Sequence, residues 1–561
     1  MKILLVAINA KYIHSNLAVY CLKSYAAKRG IEVELTEYTI NHRQDDILMD
    51  IYQRKPDVVA FSCYIWNLEF VQDIAADLYK VLPDLEIWGG GPEVSYDAEK
   101  FLAKHPEFRG IMKGEGERTF CELAGLYQIY GKEAVNKLDE CHGIVWRDPK
   151  GEISQGLPQA PISLDEVPFI YEEYENMMPF ENRILYYETS RGCPFSCSYC
   201  LSSIDKRVRL RSMELVEKEL QFFLDHKVPQ VKFVDRTFNA KKSHAMAIWK
   251  HILEHDNGVT NFHFEITADL LDEEELELIS RMRPGLIQLE IGVQSTNTET
   301  IRAIRRKMDL KRLRYVVERI NAGKNVHQHL DLIAGLPFED YESFGRSFNE
   351  VYSMEPEQFQ LGFLKVLKGS YMHDMVEEYG LKYRGKAPYE VLSTKWLPYS
   401  DVLRLKGVED MVEVYYNSRQ FLRTLKLFEQ EFESAFAMYE YMAQYYDEQR
   451  LTGLNHSRLA RYEIFHDLIG QKVEPEQMGA FEDALMCDLY FRENAKSRPS
   501  FALPQAPYKE ELRRMVPELR TLGIQVHAEV LRSGEVLLFD YREKDRLNHN
   551  AKLTVLGRIE A

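Results

Sequence analysis

Over the first 140 positions, apolar residues come in short runs separated by segments with helical spacing. The runs Ile3–Ile8, Glu32–Tyr38, Val58–Tyr64, Glu86–Gly89 and Gly110–Met112 predict strands, while Leu17–Ala27 and Phe70–Val81 place apolar residues on one face of a helix. Five strand–helix repeats in succession predict a parallel, doubly wound sheet whose ligands sit beyond the carboxyl ends of its strands. Gly89-Gly90-Gly91-Pro92 and Gly114-Glu115-Gly116-Glu117 fall at that edge. From about residue 183 a second series follows: Ile184–Thr189, Val231–Val234, Phe262–Thr267, Leu286–Val293, His327–Ile333 and Gln358–Val366. Their starts lie roughly 30–45 residues apart, room for one helix each, which predicts a partial or full parallel βα barrel with its function at the C-terminal strand ends.

The expected organisation is an α/β multidomain chain. Residues 1–140 form the doubly wound domain, and 141–182 a hairpin and linker turning at Asp148-Pro149-Lys150-Gly151. Residues 183–370 form the barrel. Residues 371–561 are mainly helical and end in a hairpin, with Ile524–Leu531 and Glu535–Tyr541 flanking Arg532-Ser533-Gly534. With 71 Lys+Arg against 88 Asp+Glu among 561 residues, the net charge of −17 argues against a mainly electrostatic grip on nucleic acid. The basic segment Lys206–Arg211 has two readings, a barrel-helix face or a holder for phosphate or carboxylate. No apolar run approaches the ~18 residues of a membrane span. The opening Met1–Val6 soon turns polar and lacks a small-x-small cleavage site, so it reads as a first buried strand and not a signal peptide.

Eight cysteines in so long a chain make no disulfide framework, yet three crowd into 193–200, which points to a metal site in a reducing cytoplasm. The stretch Thr189-Ser190-Arg191-Gly192-Cys193-Pro194-Phe195-Ser196-Cys197-Ser198-Tyr199-Cys200 follows the first strand of the second series. Thiolate sulfur suits zinc or an iron–sulfur cluster. A closed zinc site wants four ligands, and no fourth Cys or well-spaced His follows nearby; a zinc knuckle would have to borrow a distant one. Three thiolates on a cubane leave one iron open to a reactant.

This Cys-x3-Cys-x2-Cys loop, with an aromatic before its last cysteine and on the first strand of a βα barrel, resembles the radical S-adenosylmethionine (SAM) superfamily. The resemblance implies a [4Fe-4S] cluster on Cys193, Cys197 and Cys200 whose open iron chelates SAM and reductively cleaves it. Further pieces match in strand order. Val234-Asp235-Arg236-Thr237-Phe238-Asn239 occupies the position of the segment that meets the SAM amino group, without the glycines common there. Glu265 matches a third-strand acid beside SAM. Glu290-Ile291-Gly292-Val293-Gln294-Ser295 is similar to the fourth-strand motif, with Gln294 near SAM, and Arg306 matches an arginine that pairs with its carboxylate. Asp331-Leu332-Ile333-Ala334-Gly335-Leu336-Pro337 resembles the segment whose acid reaches the ribose.

A doubly wound domain directly before such a barrel resembles the cobalamin-binding domain of the B12-dependent radical SAM enzymes. By layout, Asn9–Leu17, Ser62-Cys63-Tyr64 and Gly89-Gly90-Gly91 would frame the corrin and its tail, the glycines by permitting close backbone approach. His14 is the one residue kept from the Asp-x-His-x-x-Gly of proteins that ligate cobalt through histidine, so it is expected not to be a cobalt ligand. A nicotinamide site would want Gly-x-Gly-x-x-Gly after the first strand, and none is there. Methylthiotransferases hold a second cluster on three cysteines of this domain. Here Cys21 and Cys121 sit in helical patterns and only Cys63 ends a strand.

The activity implied is methylation of an unactivated carbon through methylcobalamin. A flavodoxin- or ferredoxin-like protein would supply electrons, in the cytoplasm. A rearrangement, cyclisation or oxidation using both cofactors without methyl transfer is an alternative. So is a cobalamin- or redox-responsive binding protein whose cluster does no chemistry. The C-terminal region resembles the extra domain of unassigned function in one branch of these proteins. Its Tyr415-Tyr416 and Tyr445-Tyr446 read as packing residues, and His527 and His549 are too isolated to be ligands.

Overall fold

The computed structural model describes residues 1–517, 523–545 and 547–559. The chain divides into two compact units, Met1–Leu278 with Ile304–Lys307 and Leu364–Leu392, and Ile279–Ala303 with Met308–Phe363 and Ser393–Ala561.

The first unit opens with strands β1 (Ile3–Asn9), β2 (Glu34–Thr39), β3 (Val58–Ser62), β4 (Glu86–Gly90), β5 (Gly110–Met112), β6 (Ile144–Arg147) and β7 (Ile153–Gln155). Their order is β2-β1-β3-β4-β5-β6-β7. The first five run parallel, and β6 and β7 extend the sheet antiparallel. All seven residues of β1 are buried, as expected of a strand covered on both faces. The expected hairpin at 141–182 thus joins the first sheet, because Ile144, Val145 and Trp146 can bury their side chains only there.

The same unit carries β8 (Leu185–Tyr187), the antiparallel pair β9 (Ser190–Arg191) and β10 (Arg209–Leu210), then β11 (Gln230–Phe233) and β12 (Asn261–Ile266). β8, β11 and β12 run parallel. The basic segment 206–211 adopts neither expected form. Arg209 lies in β10 and pairs with Glu115, and Arg211 is buried with Nε 2.8 Å from Glu219 Oε2. The charges of Arg209 and Arg211 are met by internal carboxylates.

The second unit holds β13 (Ile287–Gln294), β14 (His327–Ala334) and β15 (Gln358–Phe363), again parallel. A period-two pattern on β13 buries Leu289, Ile291 and Val293 and leaves Gln288, Glu290 and Gly292 half-buried on the other face. The helices Tyr399–Met411, Leu422–Phe428, Ala435–Glu448, Arg458–Gly470 and Met478–Arg492 follow around a tyrosine- and phenylalanine-rich core. Asn417 covers β15: its side-chain oxygen accepts from Phe359 N and its amide donates to Phe359 O, both at 2.9 Å, which occupies backbone groups an edge strand would leave open. An antiparallel sheet of Val526–Val530, Glu535–Lys544 and Ala551–Arg558 closes the described chain, one strand more than the expected hairpin. No helix among the described residues is long and apolar enough to cross a membrane.

Candidate functional site

The cysteine loop leaves β9 through Gly192, whose φ of +97° suits glycine and whose missing side chain would otherwise run into the Arg207 carbonyl. Cys193 N donates to Asp205 O at 3.0 Å, and Ser203 Oγ donates to the carbonyls of Cys197 and Cys200. Ser198 is clamped on both sides, its N–H donating to Ile304 O at 2.9 Å and its carbonyl accepting from Met372 N at 2.8 Å. Cys193 and Cys197 are buried and Cys200 half-buried, all three as free thiols.

Arg306 reaches this loop. Its Nη1 lies 3.8 Å from Cys197 Sγ and 3.4 Å from the Tyr199 hydroxyl. Burial works against the guanidinium charge, but Tyr199 and Cys197 outweigh it and raise the pKa. Burial in turn raises the Cys197 thiol, opposed by Arg306. Thr237 sits on the other flank, its Oγ1 3.6 Å from Cys193 Sγ.

Asp235 is differently placed. Fully buried, it accepts from Thr189 N at 2.8 Å and Thr189 Oγ1 at 2.6 Å, so both oxygens face the root of the cysteine loop. His244 Nε2 lies 3.0 Å from the same hydroxyl. Since that hydroxyl gives its proton to Asp235, the ring nitrogen donates. Burial pushes Asp235 up to about 6, with the Thr189 and Ser190 hydrogen bonds opposing, and pushes His244 down to about 4. The neighbouring Arg236 is exposed, and its charge opposes the burial that takes Tyr64 up to about 12. Glu265 is half-buried near the end of β12.

At the loop's root, Arg191 Nη2 meets Glu117 and Glu188, each at 2.7 Å. Burial works against this charge too, and the two carboxylates keep it in place. The Gly114–Glu117 turn of the first sheet is thereby fastened to the residue before Gly192.

In the second unit, Gln294 ends β13 with a φ of +72°, past a register shift at Gly292. It is buried, and its side-chain oxygen makes no hydrogen bond among the described residues. On β14, Asp331 Oδ1 lies 3.3 Å from His329 Nε2. With Glu290, which pairs in register with His329, they bring three ligand-type atoms within 4.8 Å of one another.

At the carboxyl edge of the first sheet, Ser62 pairs with Gly90 and accepts from Asn16 Nδ2 at 3.2 Å, joining three of the expected loops. Gly91 has a φ of +114°, and a Cβ there would stand 2.5 Å from Cys63 O. Its glycine is needed for the fold as well as for any ligand. Tyr64 and Trp66 stack at 4.5 Å between ring centres. His14 Nδ1 is hydrogen-bonded to the Tyr186 hydroxyl at 2.7 Å, and burial, then Lys11 and Lys232, lower its pKa. Cys21, Cys63, Cys121 and Cys141 are buried free thiols, Cys21 and Cys121 in two different helices, Cys63 just after β3 and Cys141 shortly before β6.

Thr189, His244, Glu290 and His329 were not singled out from sequence. Alternation would have found His329, since i and i+2 on a strand share a face with Asp331, whereas Glu290 joins them only through the pairing of β13 with β14. Nothing local marks Thr189 and His244, which meet Asp235 only through the fold.

The fold agrees with the matches to known proteins. Residues 3–124 match the B12 binding domain, 187–351 the radical SAM superfamily, and 377–531 a family described as a protein of unknown function (DUF4080). The cobalamin-dependent radical SAM methyltransferase TokK of Streptomyces tokunonensis is 26% identical, covering 60% of this chain and 51% of its own. The 2-(S-pantetheinyl)-carbapenam-3-carboxylate methyltransferase of Streptantibioticus cattleyicolor is 27% identical, covering 52% of this chain and 44% of its own. The chain thus spans about half the length of the curated relatives it matches. The cobalamin-dependent radical enzyme OxsB, solved with aqua-cobalamin and SAM, shares the fold at a TM-score of 0.59 and 16% identity, over 92% of this chain and 81% of its own. One chain thus carries a region matching the B12 binding domain and a region matching the radical SAM superfamily.

Proposed function

We propose that this protein is a radical SAM enzyme that holds a [4Fe-4S] cluster on Cys193, Cys197 and Cys200, binds cobalamin at the carboxyl edge of its first sheet, and methylates an unactivated carbon. The observation that carries the reading is the cysteine loop, three thiols within eight residues with the buried guanidinium of Arg306 against one of them. When bound, the cluster and SAM supply a 5′-deoxyadenosyl radical, and cobalamin carries the methyl group.

The chain's own residues hold and orient these groups. Gly192 lets the backbone double back, and Ser203 and Ser198 pin the loop that carries the three cysteines. Arg306 supplies positive charge to balance thiolate and to meet the carboxylate of SAM. Thr237 and Arg236, beside Cys193 and Tyr64, are assigned to its amino-acid end, and Asp235 supports them from behind through Thr189. Glu265, Gln294 and Asp331 are assigned to its remaining polar groups.

At the first sheet, Ser62, Gly89, Gly90 and Gly91 provide the small, backbone-lined surface a corrin tail needs. His14, tied to Tyr186, is left out of the metal's coordination. Reduction needs a one-electron donor, for which a flavodoxin- or ferredoxin-like partner is suited. With cluster and cobalamin restored under argon, the protein given SAM and a reductant is expected to release 5′-deoxyadenosine, and deuterated-methyl SAM to pass its label to bound cobalamin. Absence of both products would overturn the reading. Radical cleavage without label transfer would leave rearrangement, cyclisation or oxidation.

A further inference from the structure

Glu339 lies in the turn after β14, two residues beyond Pro337, and is only 1% exposed. One of its oxygens accepts from Ser295 Oγ at 2.7 Å and from Ser347 Oγ at 2.9 Å. Ser295 Oγ also accepts from Asn297 N at 3.0 Å, while Asn297 Nδ2 donates to Phe338 O and Ser343 Oγ. Thr296 gives both its N–H and its hydroxyl to Ser347 Oγ, at 3.2 Å each. One buried carboxyl and its serines therefore stitch the turn after β13 to the turn after β14 and to the helix Tyr341–Tyr352.

The stitched turn carries Gln294, a residue with a side chain held at a φ that is strained unless its surroundings enforce it. The second oxygen of Glu339 is buried and makes no hydrogen bond among the described residues, as is true of the Gln294 side-chain oxygen. An ionised carboxylate there would keep an unpaired lone-pair face out of water; a carboxylic acid would be neutral and could donate. Burial pushes Glu339 up to about 7, opposed by the hydroxyls of Ser295 and Ser347. Asp340 raises it further and Arg346 lowers it, and the turn after β13 offers only hydroxyls.

We infer that Glu339 is a positioning residue for SAM, a buried brace that holds Gln294 in its left-handed turn. This rests on the reading that Gln294 meets SAM, and it adds that loss of one proton at Glu339 loosens the turn and weakens binding.

The test uses the anaerobically reconstituted holoprotein and two separate readouts between pH 6 and pH 8.5. The first is hydrogen exchange of the Thr296 and Asn297 amides, corrected for intrinsic rate; the second is the affinity for SAM. In the wild type, both protection and affinity are expected to fall by about tenfold across this range, following one proton. Glu339→Gln, neutral and of the same shape, should stay at the low-pH level throughout. Glu339→Ala should exchange fast and bind weakly at every pH. Flat wild-type protection, or a Glu339→Gln protein that keeps the wild-type pH slope, would overturn the brace. Protection that follows the proton while the wild type binds no SAM at any pH would uphold the brace but overturn its link to SAM.

Discussion

Asp235 stands where a ligand-binding acid is expected, at the carboxyl end of β11, yet both of its oxygens turn inward to Thr189. Its acidity follows from that placement. A folded value near 6, above the ordinary carboxyl range, means that the native state binds the proton more tightly than the unfolded chain. The stability linked to it is complete below the unfolded value and is lost as pH rises towards 6. Asp235→Ala, which strands a buried N–H and a hydroxyl, is expected to lower stability by about 2–4 kcal/mol. Asp235→Asn titrates nothing, so denaturant unfolding should favour the wild type over Asp235→Asn by about 1 kcal/mol more at pH 5 than at pH 8. A pH-independent difference would contradict the burial argument.

The cysteine loop works as one element because its ends are fixed from several directions: Gly192 at a backbone angle suited to glycine, Ser198 between Ile304 and Met372, and Arg191 between Glu117 and Glu188. Gly192→Ala should therefore strike the loop more than the fold. Iron incorporation is expected to drop to a small fraction of wild type while the melting temperature changes by a few degrees; undiminished iron would contradict it. Much of this element was legible in sequence. The three cysteines are close along the chain, and the strand before them announces itself by its apolar run. The supports were not legible, since Asp205, Ile304 and Met372 meet the loop through backbone groups that any residue could supply. The hairpin around Asp148–Gly151 was legible from its turn but its docking on β5 was not, and the strand Ala551–Arg558 was not read from sequence at all. Neither sequence reading of Lys206–Arg211, a helix face or an anion holder, could anticipate the carboxylates Glu115 and Glu219, which belong to other elements.

Across the whole molecule, strand order was readable because each βα repeat carries its own apolar run, and the order of motifs along the chain could be matched without contacts. A brace such as Glu339 could not be, since its meaning lies in serines 44 residues upstream and 8 downstream. The account as a whole depends on what the three sulfurs hold. Metal and labile-sulfide content, measured on anaerobically reconstituted protein beside a variant with Cys193, Cys197 and Cys200 all changed to Ala, tests this most directly. The account predicts about four irons and four sulfides per chain, lost in the triple variant. Zinc in place of iron, or iron–sulfur content that survives removal of all three cysteines, would contradict it.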